Sequence, residues 1–390
     1  MSHFELIRAT PKHTPIIHEI WRRVYGHDFA QDRPDVPEDW QSWFIGYENG
    51  TPGFACQVNK YEVHARGGWH MCAGVSCVAT APEARGTGLT KFSLNELSRV
   101  CRGDGFDCAA LYGFRDSYYR KFGYASAGWR WQISSTVDRF PNLQAELPLR
   151  HVSHGDFAPL EACYEQFIQK FSGSSRRTSS LWLRRFGKRA PDVYAVGDPV
   201  EGYFWTNPAG FYNDLEIGEF VWTTGRAYRS LLAGMRSLGI NKGKIVWCEP
   251  PSSPFLHQFR DHGVDAAWHR SSMFRILNAE RTLGDLGLVV RDGICGDFGS
   301  GAGQISIAGA TQLWLGSVSA ATLADLGELS ASAEQIAELD RDFPPQDDVC
   351  MEIYEVRHAQ RLMMACEKRR AVVRHHVDHS CAHEQPGASL

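Results

Sequence analysis

Arg85, Gly86, Gly88 and Thr90 fall within one six-residue segment, Arg85-Gly-Thr-Gly-Leu-Thr90, whose spacing suits the binding of an anion. Two glycines remove side chains where the chain must turn tightly, so backbone N–H groups can approach a phosphate closely. A helix starting directly after them would add the favourable end of its dipole, and Arg85 adds a fixed positive charge. A bare Gly-x-Gly is weak evidence, because turn glycines are more often structural than functional. The flanking residues therefore decide the matter.

Upstream, Val75, Cys77 and Ala79 alternate with Ser76, Val78 and Thr80, which predicts a strand that Pro82 ends. Downstream, Leu89, Phe92, Leu97, Val100 and Cys101 share roughly one helical face, with Lys91, Asn95, Glu96 and Arg99 largely elsewhere. The predicted order is strand, anion-binding turn, amphipathic helix. Gly103 or Gly105 then stops the helix.

These residues resemble the Arg/Gln-x-x-Gly-x-Gly/Ala pyrophosphate motif of the GCN5-related N-acetyltransferase (GNAT) superfamily, with Thr90 in place of the final small residue. The resemblance implies acetyl-CoA as co-substrate. Its pantetheine arm would pair with the backbone of Val78, Ala79 and Thr80 on a bulged strand, and its pyrophosphate would rest on Arg85, Gly86, Thr87, Gly88, Leu89 and Thr90. A bulge would leave backbone groups free for such a ligand.

Farther along, Ala109-Ala-Leu-Tyr-Gly-Phe-Arg-Asp-Ser-Tyr-Tyr-Arg-Lys-Phe-Gly-Tyr124 resembles the strand, loop and Tyr-x-x-Phe-Gly-Tyr motif of the enhanced intracellular survival (Eis) subgroup of that superfamily. By register, the resemblance gives Tyr119 the role of general acid. The chemistry suits a phenol: an amine attacks the thioester, the tetrahedral intermediate collapses, and the departing sulfur needs a proton. A phenol with a reference pKa of about 10 is protonated at neutral pH and can supply one. Read without the resemblance, the alternative is that Tyr118, Tyr119 and Tyr124 are packing aromatics with satisfied hydroxyls; the upstream motif favours the catalytic reading of Tyr119.

The chain has 390 residues, enough for two to three domains, and 43% apolar residues, ample for packed cores. Its net charge of -4 argues against a nucleic-acid partner held by phosphate contacts. Met1-Ser-His-Phe-Glu-Leu-Ile-Arg8 lacks the apolar core of a signal peptide, and no apolar run approaches a membrane span, so a cytoplasmic protein without membrane association is expected. The 11 cysteines are scattered without metal-ligand spacing and are expected to be reduced, buried thiols.

The expected fold class is α/β (α+β): two tandem GNAT-like mixed-sheet domains followed by a small sterol-carrier-like (SCP2-like) α/β domain. Residues 1–142 form the expected catalytic domain, with a helix around Pro15 to Tyr25 and strands around Trp43 to Tyr47, Gly53 to Val58 and Tyr61 to Ala65. In the resembling enzymes the early helix and loop wall the acceptor pocket. Here that loop carries Asp28, Asp32, Asp35, Glu38 and Asp39, which would attract a polyamine or aminoglycoside, with Trp40 or Trp43 as an apolar wall. Asp28 and Trp40 are the candidate substrate contacts.

Residues 143–285 repeat the order strand, strand, helix, strand through Gly202 to Thr206, Leu215 to Trp222, Arg226 to Leu238 and Lys244 to Cys248. The junction Val221-Trp-Thr-Thr-Gly-Arg-Ala-Tyr228 lacks the Arg-x-x-Gly-x-Gly turn, so a degenerate domain without a second CoA site is expected. Residues 286–354 resemble the sterol-carrier-like domain of the Eis subgroup, above all Leu315-Gly-Ser-Val-Ser-Ala320. Its start is read near Met273 to Leu283. Gly299-Ser-Gly-Ala-Gly303 places Gln304 where a dinucleotide fingerprint needs its third glycine, so a hairpin turn between strands is predicted instead.

In the resembling enzymes the terminal carboxylate returns to the site as general base. Here Asp347-Asp-Val-Cys-Met-Glu-Ile-Tyr354 fills that final segment and the chain continues to Leu390. The fold must then use a side-chain carboxylate, a solvent route or a less basic acceptor; Glu352 or Glu355 is the expected substitute, with Glu352 the candidate to test. The polar extension 355–390 ends in His375-His-Val-Asp-His-Ser-Cys-Ala-His383, whose donors suit zinc or nickel but lack a scaffold, so no metal is expected. The resemblance implies a homo-oligomer, hexameric in the resembling enzymes, acting on an aminoglycoside, an aminated metabolite or a lysine side chain. The alternatives are a transferase of a larger acyl group, with Phe114, Trp129 or Trp131 limiting the space, and a non-catalytic ligand or lipid carrier built on the third domain.

Overall fold

Strands β1 (Phe4–Arg8), β2 (Gln41–Glu48), β3 (Thr51–Ala65) and β4 (Gly68–Thr80) form an antiparallel meander. Its two tight turns, at Asn49-Gly50 and Arg66-Gly67, have positive φ at both residues, the geometry that suits the strand twist. The computed structural model describes residues 2–26, 36–153, 156–186, 192–207, 213–259 and 263–349. The sequence predicted two strands where β3 runs unbroken, because Asn59 and Lys60 pair with Gly74 and Ala73 of β4.

β5 (Cys108–Leu111) lies parallel to β4, and the order then departs from the linear sequence. The later strands are β6 (Ala125–Ser135), β7 (Leu149–Val152), β8 (Ser174–Ser175), β9 (Asp192–Val196), β10 (Gly202–Thr206), β11 (Leu215–Trp222), β12 (Ile245–Glu249) and β13 (Val264–Ile276). All join one sheet in the order β1-β2-β3-β4-β5-β13-β6-β12-β11-β10-β9-β7, with β8 on β3. β13 therefore inserts between β5 and β6, and β6 lies between two strands of the second domain. Met273 to Ile276, read from sequence near the start of the third domain, are instead the end of β13 in this shared sheet.

Period-two alternation sends Ala73, Val75, Ala109 and Leu111 to one face of the sheet and Cys72, Cys108 and Ala110 to the other. The first face is covered by helix α2 (Leu89–Gly103), which follows helix α1 (Thr14–Tyr25) in the chain. The second is covered by the third domain, whose wholly buried helix Ile307–Leu315 packs on β13 and β6. Arg66, in the β3–β4 turn, donates to the carbonyls of Leu313, Trp314 and Pro344, so a cation from the first domain caps the C-terminal end of that helix.

In the third domain β14 (Leu288–Arg291) and β15 (Gly303–Ser306) pair in parallel, and β16 (Leu329–Ser330) is antiparallel to β15. The hairpin predicted at Gly299 to Gly303 is thus incorrect, since a two-residue turn cannot join parallel strands. The glycines serve close packing instead: a Cβ on Gly299 or Gly301 would collide with the carbonyls of Leu288 or Gly287. Among the described residues no helix is long and apolar enough to cross a membrane.

Candidate active site

The strand that precedes the Arg-Gly-Thr-Gly turn carries a bulge. Ala55 pairs with Ala79 and Gln57 with Ser76, so Cys56 alone faces both Cys77 and Val78. Cys77 takes up φ of 54°, uncommon for a residue with a side chain. Helix α1 holds this geometry in place: Trp21 Nε1 donates to the Cys77 carbonyl at 2.8 Å and the Tyr25 hydroxyl to the Val78 carbonyl at 2.5 Å.

On its other side β4 pairs with β5 only from Cys72 to Gly74. Val75 to Thr80 then run on while β5 ends at Leu111, so among the described residues the two strands part next to the bulge. Val78 and Thr80 are half-buried and Ala79 is buried. The expected bulge is present, and among the described residues β5 does not pair with the strand beside it, while the Val78 and Thr80 carbonyls accept from Tyr25 and Arg85.

Thr80 leads through the short turn Pro82–Ala84 to Arg85, whose Nε donates to the Thr80 carbonyl at 3.3 Å. Gly86 and Gly88 have φ of 83° and 103°, and a Cβ on Gly86 would meet nothing within 4 Å. Space does not dictate glycine at 86; the backbone conformation does. Gly88 is the N-cap of α2 and has no side chain to cap it; the Leu89 N–H makes a long bond to Thr87 Oγ1 at 3.4 Å, and the amides after it in the first turn face this turn. The Thr90 hydroxyl meets that of Thr80 at 2.7 Å, joining strand end to helix start.

The second domain repeats the strand, turn and helix with the opposite electrostatics. The helix Gly225–Leu238 after β11 is capped by Thr224, whose Oγ1 accepts from the Ala227 N–H. The Glu201 carboxylate accepts from that same hydroxyl at 2.8 Å and from Arg226 Nε at 2.8 Å. A fixed carboxylate thus occupies the start of this helix, where the first domain leaves the helix start uncapped.

Tyr119 ends a short helix, Asp116–Tyr119, and its ring lies among those of Tyr118, Phe114 and Tyr124 at centroid separations of 5.2, 5.6 and 6.1 Å. It is buried on the α2 face of the sheet, in the cluster that also contains Val75, Leu89 and Leu111. Gly113 packs closely beneath it: a Cβ there would stand 2.9 Å from Met273 Sδ and 3.1 Å from Tyr119 Cδ2, so a larger residue would push on the Tyr119 ring. Burial pushes the Tyr118 phenol up from its ordinary value, and the Tyr124 phenol much farther. Phe114 remains exposed beside these rings.

Trp40 packs on the opposite face of the sheet, against the cluster of Tyr61, Cys72 and Ala110, with its Nε1 donating to Glu38 at 2.6 Å. It therefore belongs to a different cluster from Tyr119. Asp28, Asp32, Asp35, Glu352, Glu355 and the histidines from His375 to His383 lie outside the described residues. No cluster of three or more metal-ligating side chains occurs among the described residues.

Sequence reasoning missed two groups at this site. Arg275, fully buried, donates to the Phe122 carbonyl within the Tyr-x-x-Phe-Gly-Tyr turn. A lone charge inside the apolar run Met273-Phe-Arg-Ile-Leu277 was its signal. Asp348, buried where the last described residues reach β6, accepts from the Gly128 N–H at 2.9 Å and the Ser317 hydroxyl at 2.5 Å. Nothing in its sequence context separates it from Asp347.

Residues 5–127 match the acetyltransferase (GNAT) domain family and residues 280–351 the sterol carrier protein domain family. The chain is 28% identical to N-acetyltransferase Eis of Mycobacterium tuberculosis over 54% of its own length and 56% of that protein. It thus spans about half the length of the curated relatives it matches. Its fold is similar to that of a GCN5-related N-acetyltransferase from Anabaena variabilis, with a TM-score of 0.78 at 18% identity over 90% of this chain and all of that one. Eis1 from Mycobacterium abscessus gives 0.72 at 16% identity, again over 90% of this chain and all of that one.

Proposed function

We propose that this chain, a member of the GNAT superfamily with Eis-like homology, is an acyl-CoA-dependent N-acyltransferase that moves an acetyl group from acetyl-CoA to a primary amine. The observation that carries the reading is the junction of the bulged strand with the uncapped helix. The strand from Val78 to Thr80, with which β5 does not pair among the described residues, suits the amide-bearing pantetheine arm, and the positive-φ turn Arg85 to Thr90 suits the pyrophosphate.

The amine attacks the thioester carbonyl, the C–N bond forms, and the C–S bond breaks as the tetrahedral intermediate collapses. Tyr119 protonates the departing thiolate, and its own burial beside the Tyr118 and Tyr124 rings supports that role by holding the phenol in place. The proton lost by the amine goes to a carboxylate, for which Glu352 is the candidate. Asp28 and Trp40 are the candidate contacts to the acceptor, an aminoglycoside, an aminated metabolite or a lysine side chain. A cytoplasmic homo-oligomer completes the reading.

Free-thiol release from acetyl-CoA, measured against a panel of aminoglycosides, polyamines and lysine peptides, tests it. Amine-dependent release that falls at least tenfold in Tyr119→Phe is expected. Absence of both acetyl-CoA binding and thiol release in the purified protein overturns the proposal.

A further inference from the structure

Three domains meet at one buried guanidinium. Arg275 lies on β13, the last strand of the second domain, opposite Ala109 of β5, and is fully buried. Its Nη2 donates to both carboxylate oxygens of Asp292 in the third domain, at 2.8 Å each. Its Nη1 donates to the carbonyl of Phe122, in the turn directly after Tyr119.

The fit around this group is close. Gly123 has φ of 80°, and any Cβ there would collide with the Arg275 guanidinium. Asp292 is held in turn by the N–H groups of Ile294 and Cys295, at 2.9 and 3.2 Å. The same loop accepts hydrogen bonds from α2, through Arg99 to the Ile294 carbonyl and Arg102 to the Cys295 carbonyl. One loop of the third domain therefore grips both the helix behind the anion turn and, through Arg275, the turn that carries Tyr119.

A buried ion pair is a poor source of net stability compared with apolar residues of the same volume, whereas its fixed directions orient whatever it bonds. We infer that Arg275 and Asp292 are positioning residues for Tyr119, and that the third domain sets catalytic geometry in the first through this pair. The inference rests on the proposed role of Tyr119. It gives the sterol-carrier-like domain a task in acyl transfer that needs no lipid.

The test uses two variants of the full chain, Asp292→Asn and the charge-free pair Arg275→Met with Asp292→Leu, the second chosen because removing both charges leaves no buried ion unpaired. Each is measured for kcat and KM, alone and with Tyr119→Phe, and for amide hydrogen exchange across residues 116–126. Expected are a kcat at least tenfold lower, a KM for acetyl-CoA within twofold of the parent, faster exchange confined to 116–126, and less than a twofold further loss when Tyr119→Phe is already present. Unchanged exchange and kcat in a folded variant overturn the inference, as do losses that multiply with that of Tyr119→Phe. If exchange rises at 116–126 but Tyr119→Phe itself keeps full activity, the positioning stands and the proposed acid role of Tyr119 falls.

Discussion

The hydroxyls of Thr80 and Thr90 lie 2.7 Å apart, one at the end of the bulged strand and the other in the first turn of the helix that follows. The contact spans the segment in which the anion turn is strung, so it fixes how far the strand edge stands from the helix start. Thr90→Val keeps the side-chain volume and deletes the bond. A loss of about 1 kcal/mol in denaturant unfolding is expected, together with a few-fold weaker binding of acetyl-CoA by calorimetry. Thr90→Ser should restore both, and a Val variant that binds acetyl-CoA as well as the parent would remove any role for this contact in the site.

Gly88 supplies the second test of the turn. Its φ of 103° is disfavoured for any residue with a Cβ, although the nearest atom such a Cβ would meet is the Phe4 ring at 3.5 Å. Gly88→Ala therefore strains the backbone by roughly 1–2 kcal/mol without a clash and turns the first-turn amides away from the anion. We expect KM for acetyl-CoA to rise about tenfold with kcat little changed, the signature of lost ground-state binding. Because Glu201 already fills the helix start in the second domain, titration of the parent should give one acetyl-CoA per chain. A stoichiometry of two would contradict the electrostatic contrast between the domains.

The turn and the aromatic motif were legible in sequence because each is local: glycines that require positive φ, a periodic helix directly after them, and clustered tyrosines within one loop. The insertion of β13 between β5 and β6 was not legible, since the apolar run from Met273 to Leu277 has the same appearance whether it ends one domain or begins the next. Asp348 escaped for a related reason. Its burial comes from Ser317 and from the backbone of β6 at Gly128, separated from it by 31 and 220 positions, and no local pattern encodes such contacts. The parallel pairing of β14 with β15 escaped because a glycine-rich connection looks alike in a hairpin and in a return loop.

The second domain contains its own buried pair, Arg177 with Glu219, whose side chains are both almost fully enclosed. Tyr203 donates to Glu219 at 2.7 Å, and the Arg177 guanidinium lies 3.9 Å from the centroid of the Tyr164 ring. Replacing Arg177 with Met leaves the Glu219 carboxylate buried without its cation, which should lower stability by about 3–5 kcal/mol in denaturant unfolding. Adding Glu219→Leu should recover most of that loss. Failure of the second substitution to recover stability would mean that packing around Arg177, rather than its charge, holds the domain together.

Burial pushes the Asp348 carboxyl up to about 6, with the Ser317 hydroxyl and the N–H groups of Gly128 and Trp129 pulling partly the other way. The unfolded chain releases the same proton near the ordinary value of about 3.9. Between those two values the folded protein binds more protons than the unfolded one, so this group's contribution is fully present below about pH 4 and is lost as pH rises through about 6. The buried Glu249 carboxyl is raised as well and adds a slope of the same sign, so only a difference between proteins isolates Asp348. Asp348→Asn, with its amide oxygen in the place of Oδ2, keeps the acceptor that serves both the Gly128 N–H and the Ser317 hydroxyl, while removing the charge. The Tm of the parent should therefore fall relative to that of the variant between pH 4 and 7, by an amount equivalent to roughly 3 kcal/mol. Parallel Tm curves across that range would show that the carboxylate is solvated in the folded protein, and that its bonds to Gly128 and Ser317 do not clamp the last described residues onto β6.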